Sequence, residues 1–195
     1  MDGEKQTCVM AGANEAILVS MLAFINPGDE VLVPDPNWHH YKSCASMAGG
    51  IPVEVPVRLE DGFSMSPDEV EKRITPRTKM LCLTSPANPT GCVESAENLK
   101  ALADIARRHD LVVLADEIYF RMVYNGHRFV HLTELAHNRV PLVVMRGMSK
   151  DVPWPGGRCG WMEFHNLDVD AEYRRFFDSV KKPLMLEVCA TSLPQ

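Results

Sequence analysis

The 195-residue chain has no apolar run approaching the roughly 20 residues that a membrane-spanning helix needs, so no membrane partner is expected. It has no block of like charge either. The net charge of −6 is spread along the chain, and a mildly acidic surface does not attract nucleic acid or an anionic lipid surface. Cysteine is present (Cys8, Cys44, Cys82, Cys92, Cys159 and Cys189) but never as a C-x-x-C pair or at a His/Cys metal-ligand spacing. Most of these cysteines sit inside apolar runs and read as reduced, buried residues of a cytoplasmic protein; no metal site is expected. Met1-Asp2-Gly3-Glu4-Lys5 lacks the pattern of a signal peptide. Internal repeats and low-complexity tracts are absent. So are the glycine-rich turns G-x-G-x-x-G and G-x-x-x-x-G-K-[ST], which leaves little support for a nucleotide-binding module.

What remains is an ordinary globular composition, 46% hydrophobic and 24% charged, enough for one domain with a sizeable core. Strand-like apolar runs recur at Thr7–Met10, Val31–Val33, Pro52–Val57, Lys79–Thr84, Leu111–Ala115, Leu142–Arg146 and Cys159–Phe164. Several are continuously apolar and rich in branched residues, as in Leu111-Val112-Val113-Leu114-Ala115, the signature of strands covered on both faces. Helical patterns lie between them. Asn14 is placed to cap a helix over Glu15–Ile25, which Asn26-Pro27-Gly28 ends. Ser66-Pro67-Asp68-Glu69 has the form of a capping box and opens a helix to about Ile74. Ser95 begins another helix with Leu99, Leu102, Ala103 and Ala106 on one face. Asp168 opens a polar helix through about Lys181, and Pro183 restarts one after it.

Alternating strands and helices predict an α/β fold: a sheet of about seven strands, mostly parallel, with helices on both faces. Right-handed crossovers put the carboxyl ends of the strands on one edge, where ligands bind in such sheets. The residues just past each strand are therefore the candidates. Gly12-Ala13-Asn14 opens a helix whose first amides suit an anion. Trp38, in Pro34-Asp35-Pro36-Asn37-Trp38, is placed to stack on a flat ring, or to pack as a core indole. Two prolines fix Asn88 within Ser85-Pro86-Ala87-Asn88-Pro89-Thr90-Gly91, so its amide is held toward a fixed acceptor. Asp116 ends a buried strand, which is costly unless a cationic group meets it, and Tyr119 follows closely. Ser149-Lys150 follows the sixth strand. Arg158 begins the last one and reaches the same edge if that strand runs antiparallel.

One ligand would satisfy all of these groups. It carries an aldehyde for Lys150, a phosphate for Gly12–Asn14 and Arg158, a pyridinium nitrogen for Asp116, a flat face for Trp38 and a phenolate for Asn88 and Tyr119. Pyridoxal 5′-phosphate (PLP) has each part. The motifs G-A-N-E-A (12–16), P-D-P-N-W (34–38), S-P-A-N-P-T-G (85–91), A-D-E-I-Y (115–119), S-K (149–150) and P-G-G-R-C-G-W (155–161) resemble, in order and spacing, those of fold-type-I PLP-dependent aminotransferases of classes I and II. The resemblance covers essentially the whole chain.

It implies that Lys150 is the Schiff-base lysine and that Asp116 partners the pyridine nitrogen. Asn88 and Tyr119 become the donors to the phenolate, and Trp38 the stacking ring. Ala13, Asn14 and Arg158 become the phosphate cradle, with Gly12 before them and Ser149 beside the lysine as further cofactor-binding candidates. It implies amino acid and 2-oxo acid substrates and a homodimer. Residues 1–195 would be the PLP-binding large domain, without the family's N-terminal segment and without its C-terminal small domain, which brings an arginine for the substrate α-carboxylate. Carbon–sulfur lyases and synthases share the same cofactor site, and a PLP-binding fragment without turnover stays open beside them. In one place the sequence departs from the pattern: where the family has a phosphate-binding Ser or Thr three residues before the lysine, this chain has Gly147.

Overall fold

The computed structural model describes residues 6–136 and 140–186. Seven strands form one sheet: β1 (Thr7–Met10), β2 (Glu30–Asp35), β3 (Ile51–Pro56), β4 (Thr78–Thr84), β5 (Val112–Asp116), β6 (Leu142–Gly147) and β7 (Gly160–His165). Their spatial order is β1-β7-β6-β5-β4-β2-β3. Pairing is parallel from β3 through β6, while β7 runs antiparallel to both β6 and β1. The mostly parallel sheet with one reversed strand agrees with the reading of the sequence, and each strand lies within a few residues of its expected span. The reversal of β7 is what carries its first residues, and Arg158 before them, to the edge where the other strands end.

Helices α1 (Ala13–Phe24), α2 (His40–Met47) and α6 (Ala171–Leu186) cover one face, and α3 (Pro67–Glu71), α4 (Ala96–Arg108) and α5 (Leu132–Leu135) the other. Two apolar clusters follow from this layering. One gathers Met10, Ile17, Met21, Tyr41, Met145 and Phe164; the other gathers Leu32, Leu81, Leu102, Leu111, Val113 and Val144. Alternate residues of the central strands feed opposite clusters, because successive side chains leave a strand on opposite faces. Val143 and Met145 of β6 join the first, Leu142 and Val144 the second. Of the cysteines, Cys8, Cys44, Cys82 and Cys159 are buried and Cys92 is half-buried, all as free thiols; Cys189 lies outside the described residues. Among the described residues no helix is long and apolar enough to cross a membrane.

The helices correct several expectations. Asn14 does not cap α1. Gly12 occupies that position with φ 87°, and Asn14 sits in the first turn. Ser66 caps α3 by accepting from the Glu69 amide (3.4 Å), but the Glu69 carboxylate turns to Lys72 and Arg73 rather than closing a box, and the helix ends at Glu71 instead of near Ile74. Helix α4 matches its expected apolar face, capped by Ser95 accepting from the Asn98 amide (3.1 Å). The last helix starts at Ala171, not Asp168, with Asp170 accepting from the Glu172 and Tyr173 amides. It is not a solvated polar rod: Tyr173, Phe176, Phe177 and Val180 are buried along one stripe against Phe164 and Phe24. It also continues through Pro183 to Leu186 rather than restarting there.

Candidate active site

At the carboxyl edge of the sheet lies a cavity of about 160 Å³ lined by Ala13, Asn14, Trp38, Thr84, Asn88, Asp116, Ile118, Tyr119, Ser149, Lys150, Pro155 and Arg158. Every candidate residue read from the sequence lines it except Gly12, which lies directly behind the Arg158 guanidinium. The volume is of the size that holds one six-membered ring. The lining residues come from six separate strand ends, and only the sheet topology brings them together.

Asp116 is the last residue of β5 and is buried. No cation touches its carboxylate; the sequence-based expectation of a cationic neighbour is replaced by two neutral donors. The Tyr41 hydroxyl donates to Oδ2 at 2.6 Å, and the Ile118 amide donates to Oδ1 at 3.0 Å. Burial pushes the Asp116 carboxyl above its ordinary range; the Tyr41 and Ile118 hydrogen bonds oppose this, the nearby Glu117 charge adds to it, and Lys150 opposes it. A buried carboxylate at a cavity wall is thus one positive partner short, which suits a protonated ring nitrogen.

Tyr41 was not singled out from the sequence. It is fully buried in the first turn of α2 and also receives the Thr84 hydroxyl at 3.4 Å. The signal was available: a tyrosine three residues after Trp38, on a helix that must pack against the sheet, needs a partner for its hydroxyl when buried. Burial and the Asp116 contact push its own proton affinity well up, so it stays a donor.

Asn88 and Tyr119 meet at one end of the cavity, the Asn88 amide donating to the Tyr119 hydroxyl at 3.3 Å. Both have donor capacity beyond this bond. The Lys150 amine stands 5.7 Å from the centre of the Tyr119 ring, on the same wall. Trp38 forms a flat side wall. Its indole N–H donates to the Asn14 side chain (3.3 Å), and its other face stacks on His40 at 5.1 Å between ring centres and 2° between planes.

The opposite end is cationic. Arg158 sits in the left-handed region (φ 49°) and is anchored by donating to the Pro155 carbonyl (2.9 Å) and the Ala11 carbonyl (3.0 Å). That places the guanidinium over the start of α1, where the first amides and the helix dipole already favour an anion. Gly12 makes this approach possible, since a Cβ there would lie 2.2 Å from an Arg158 nitrogen. Gly160 is constrained in the same way, as a Cβ there would lie 2.7 Å from the Gly12 backbone. At Gly147 a Cβ would meet the Cys159 carbonyl at 2.9 Å. A Ser or Thr at that position has no room, and Ser149, like Thr84 and Tyr119, is a hydroxyl-bearing residue of the cavity lining. The chemistry of the donor set fits PLP: an amine, a buried acid, two donors side by side, a flat aromatic wall and an anion cradle. Among the described residues no group of three His, Cys, Asp or Glu side chains is arranged to hold a metal ion.

Comparison with known proteins gives the same direction. The family model "Aminotransferase class I and II" matches residues 1–193. The chain is 37% identical over 161 residues to an aspartate aminotransferase of Pyrococcus abyssi, covering 83% of this chain and 41% of that one. It is 40% identical over 157 residues to a probable aspartate/prephenate aminotransferase of Thermus aquaticus, covering 80% and 40%. An alanine aminotransferase structure from Pyrococcus furiosus superposes with a TM-score of 0.90 at 31% identity, over 96% of this chain and 47% of that one. The chain therefore spans about two fifths of the length of these curated relatives.

Proposed function

Because the chain belongs to the class I and II aminotransferases, whose members use PLP, we propose that it holds PLP on Lys150 and transfers an amino group between an amino acid and a 2-oxo acid. The observation that carries the proposal is the pairing, across one cavity, of the buried Asp116 carboxylate with the Lys150 amine, with Arg158 locked over the start of α1 at the far end. In this reading residues 1–195 form a PLP-binding large domain. The cytoplasm suits its free thiols, and the protein works as a homodimer.

When bound, PLP supplies an aldehyde to take up the amino group and a ring able to accept electrons from the substrate Cα. The chain does the rest. Asp116 would hold a proton on the ring nitrogen, and its two neutral donors keep its carboxylate oriented without neutralising it. The Lys150 amine would serve as the general base for the substrate Cα proton and as the acid that gives it back. Asn88 and Tyr119 donate to the ring oxygen. Arg158 offers a planar fork to the phosphate, which a lysine would match less well, and the α1 amides complete the cradle. Trp38, held by Asn14 and His40, would cover one ring face.

The test is direct. After incubation with PLP, borohydride reduction and digestion, the added mass should fall on the peptide containing Lys150. Label on a different lysine, or none, ends the proposal. Product analysis with and without an added 2-oxo acid then separates transfer, which needs the acceptor, from a lyase, which releases ammonia without it.

A further inference from the structure

Directly behind the site, on the opposite face of the sheet, lies a cluster of charges built on two buried carboxylates. Arg146 extends from β6, four residues before Lys150. Its Nε and Nη2 donate to Glu117 Oε2 at 3.2 and 2.9 Å, and its Nη1 donates to Glu163 Oε1 at 3.2 Å. Glu117 is the residue after Asp116. Its other oxygen accepts the Leu132 amide at 3.0 Å, and His131 Nδ1 lies 2.6 Å from Oε2. Glu163, on β7, also receives the Trp161 indole N–H (2.9 Å) and faces His165 at 3.4 Å. The carboxylate side chains are 4% and 9% exposed. Phe120 covers the guanidinium at 5.5 Å.

Such a cluster is a poor route to stability, since apolar residues of similar size commonly do as well. Its position suggests another use. Glu117 brings a second negative charge next to the carboxylate that has to stay ionised for the chemistry, and in that surrounding each like charge favours protonation. The groups facing Asp116 are the Tyr41 hydroxyl from α2, the Ile118 amide, Cys82 from β4 and Lys150, while Glu117 acts on it from the other face of the sheet. Lys150 is the one cation among them. The charge that offsets Glu117 from its own side is Arg146.

We infer that Arg146 is a positioning residue for the reaction: it is the counter-ion that shields Asp116 from Glu117, while its fork ties the end of β6 to Glu117, just past β5, and to Glu163 within β7. The inference rests on the proposed role of Asp116 as the ring-nitrogen partner. It goes beyond the cofactor contacts, because Arg146 touches neither the cavity nor its ligand.

The test follows the Asp116 carboxyl by 13C NMR through a pH titration of the chain without PLP, and in parallel the acid limb of PLP retention. In Arg146→Met the Asp116 titration should move up by about one pH unit, and the acid limb with it. In Glu117→Gln both should move down. The double variant should return close to the parent, and Arg146→Lys, which keeps the charge, should stay near it. A purely structural role would lower the melting temperature of Arg146→Met and leave the Asp116 titration where it was; that result overturns the inference. If Arg146→Met does not fold, an unmoved Asp116 in Glu117→Gln overturns it equally. The NMR arm needs no cofactor, so absence of PLP uptake by the parent chain would count against the proposed function while the Arg146 inference is still decided.

Discussion

Gly12 and Arg158 form a unit in which neither residue makes sense alone. The guanidinium reaches the first turn of α1 only because Gly12 has no side chain, and the φ of 87° at Gly12 is one that glycine adopts without cost. Gly12→Ala should therefore push Arg158 away and strain the backbone at once. The expected result is PLP affinity at least about tenfold weaker, with a loss of roughly 1–3 kcal/mol in folding stability, measured by fluorescence titration and thermal melting. Asp116 is the opposite case, a residue whose charge the fold holds at a cost. Its carboxyl is pushed up by burial, so the ionised form burdens the chain above that point. Asp116→Asn removes the burden and keeps an acceptor for one of its two donors, while Tyr41 has Thr84 as an alternative neighbour. The melting temperature without cofactor at neutral pH should stay level or rise, whereas PLP binding weakens by about tenfold or more. A large fall in stability together with unchanged PLP binding would contradict the assigned role.

At the scale of elements, the helices differ in what holds them. Helix α4 has a wide apolar face, a Ser95 cap and Arg107 and Arg108 in its last turn, so local signals and packing agree. Helix α6 depends on packing. Its aromatic stripe, Tyr173, Phe176 and Phe177, interlocks with Phe164 of β7, and the Tyr173 hydroxyl donates to the Leu142 carbonyl at 2.6 Å. Phe177→Ala should cost about 3–5 kcal/mol, as for other buried aromatic truncations. Because that stripe supports β7 from behind, an unfolding free energy reduced by less than about 1 kcal/mol would show that the helix is not docked as described. The periodic charges of this segment masked its stripe in the sequence: Glu172, Arg174, Arg175, Asp178, Lys181 and Lys182 dominate a simple hydropathy reading, although Tyr173, Phe176, Phe177 and Val180 already follow helical spacing.

For the molecule as a whole, two buried carboxylates set part of the acid stability. Burial alone would raise Glu30, but hydrogen bonds from Thr75 and Thr78 and the Arg77 ion pair hold it below the usual carboxylate range. Glu163 is likewise raised by burial and then lowered past that by His165, Trp161 and Arg146. Since the folded value lies below the unfolded one in both, their contribution is complete above about pH 4.3 and is lost as pH falls through the folded value. Glu30→Gln should lower the melting temperature at pH 7, and the gap to the parent should close toward pH 3. A gap that is constant with pH would mean that the Glu30 charge is not what stabilises the junction of β2 with the segment before β4.

The sequence by itself determined the strand spans, the α/β class and the set of residues at the strand ends, because continuous apolar runs and turn residues are local signals and every strand but β3 carries its own motif at the site edge. It also marked Lys150, Asp116 and Arg158 as candidates for one ligand, and the three line one cavity. Only the tertiary structure decided who meets whom: that a neutral Tyr41, not a cation, holds Asp116, that Gly12 rather than Asn14 starts α1, that Gly147 leaves no space for a hydroxyl, and that Arg146, Glu117 and Glu163 converge behind the site. The physical reason is that each of these contacts joins different strands or helices, and its partners are set by sheet order and by the reversal of β7, which no single stretch of the chain encodes.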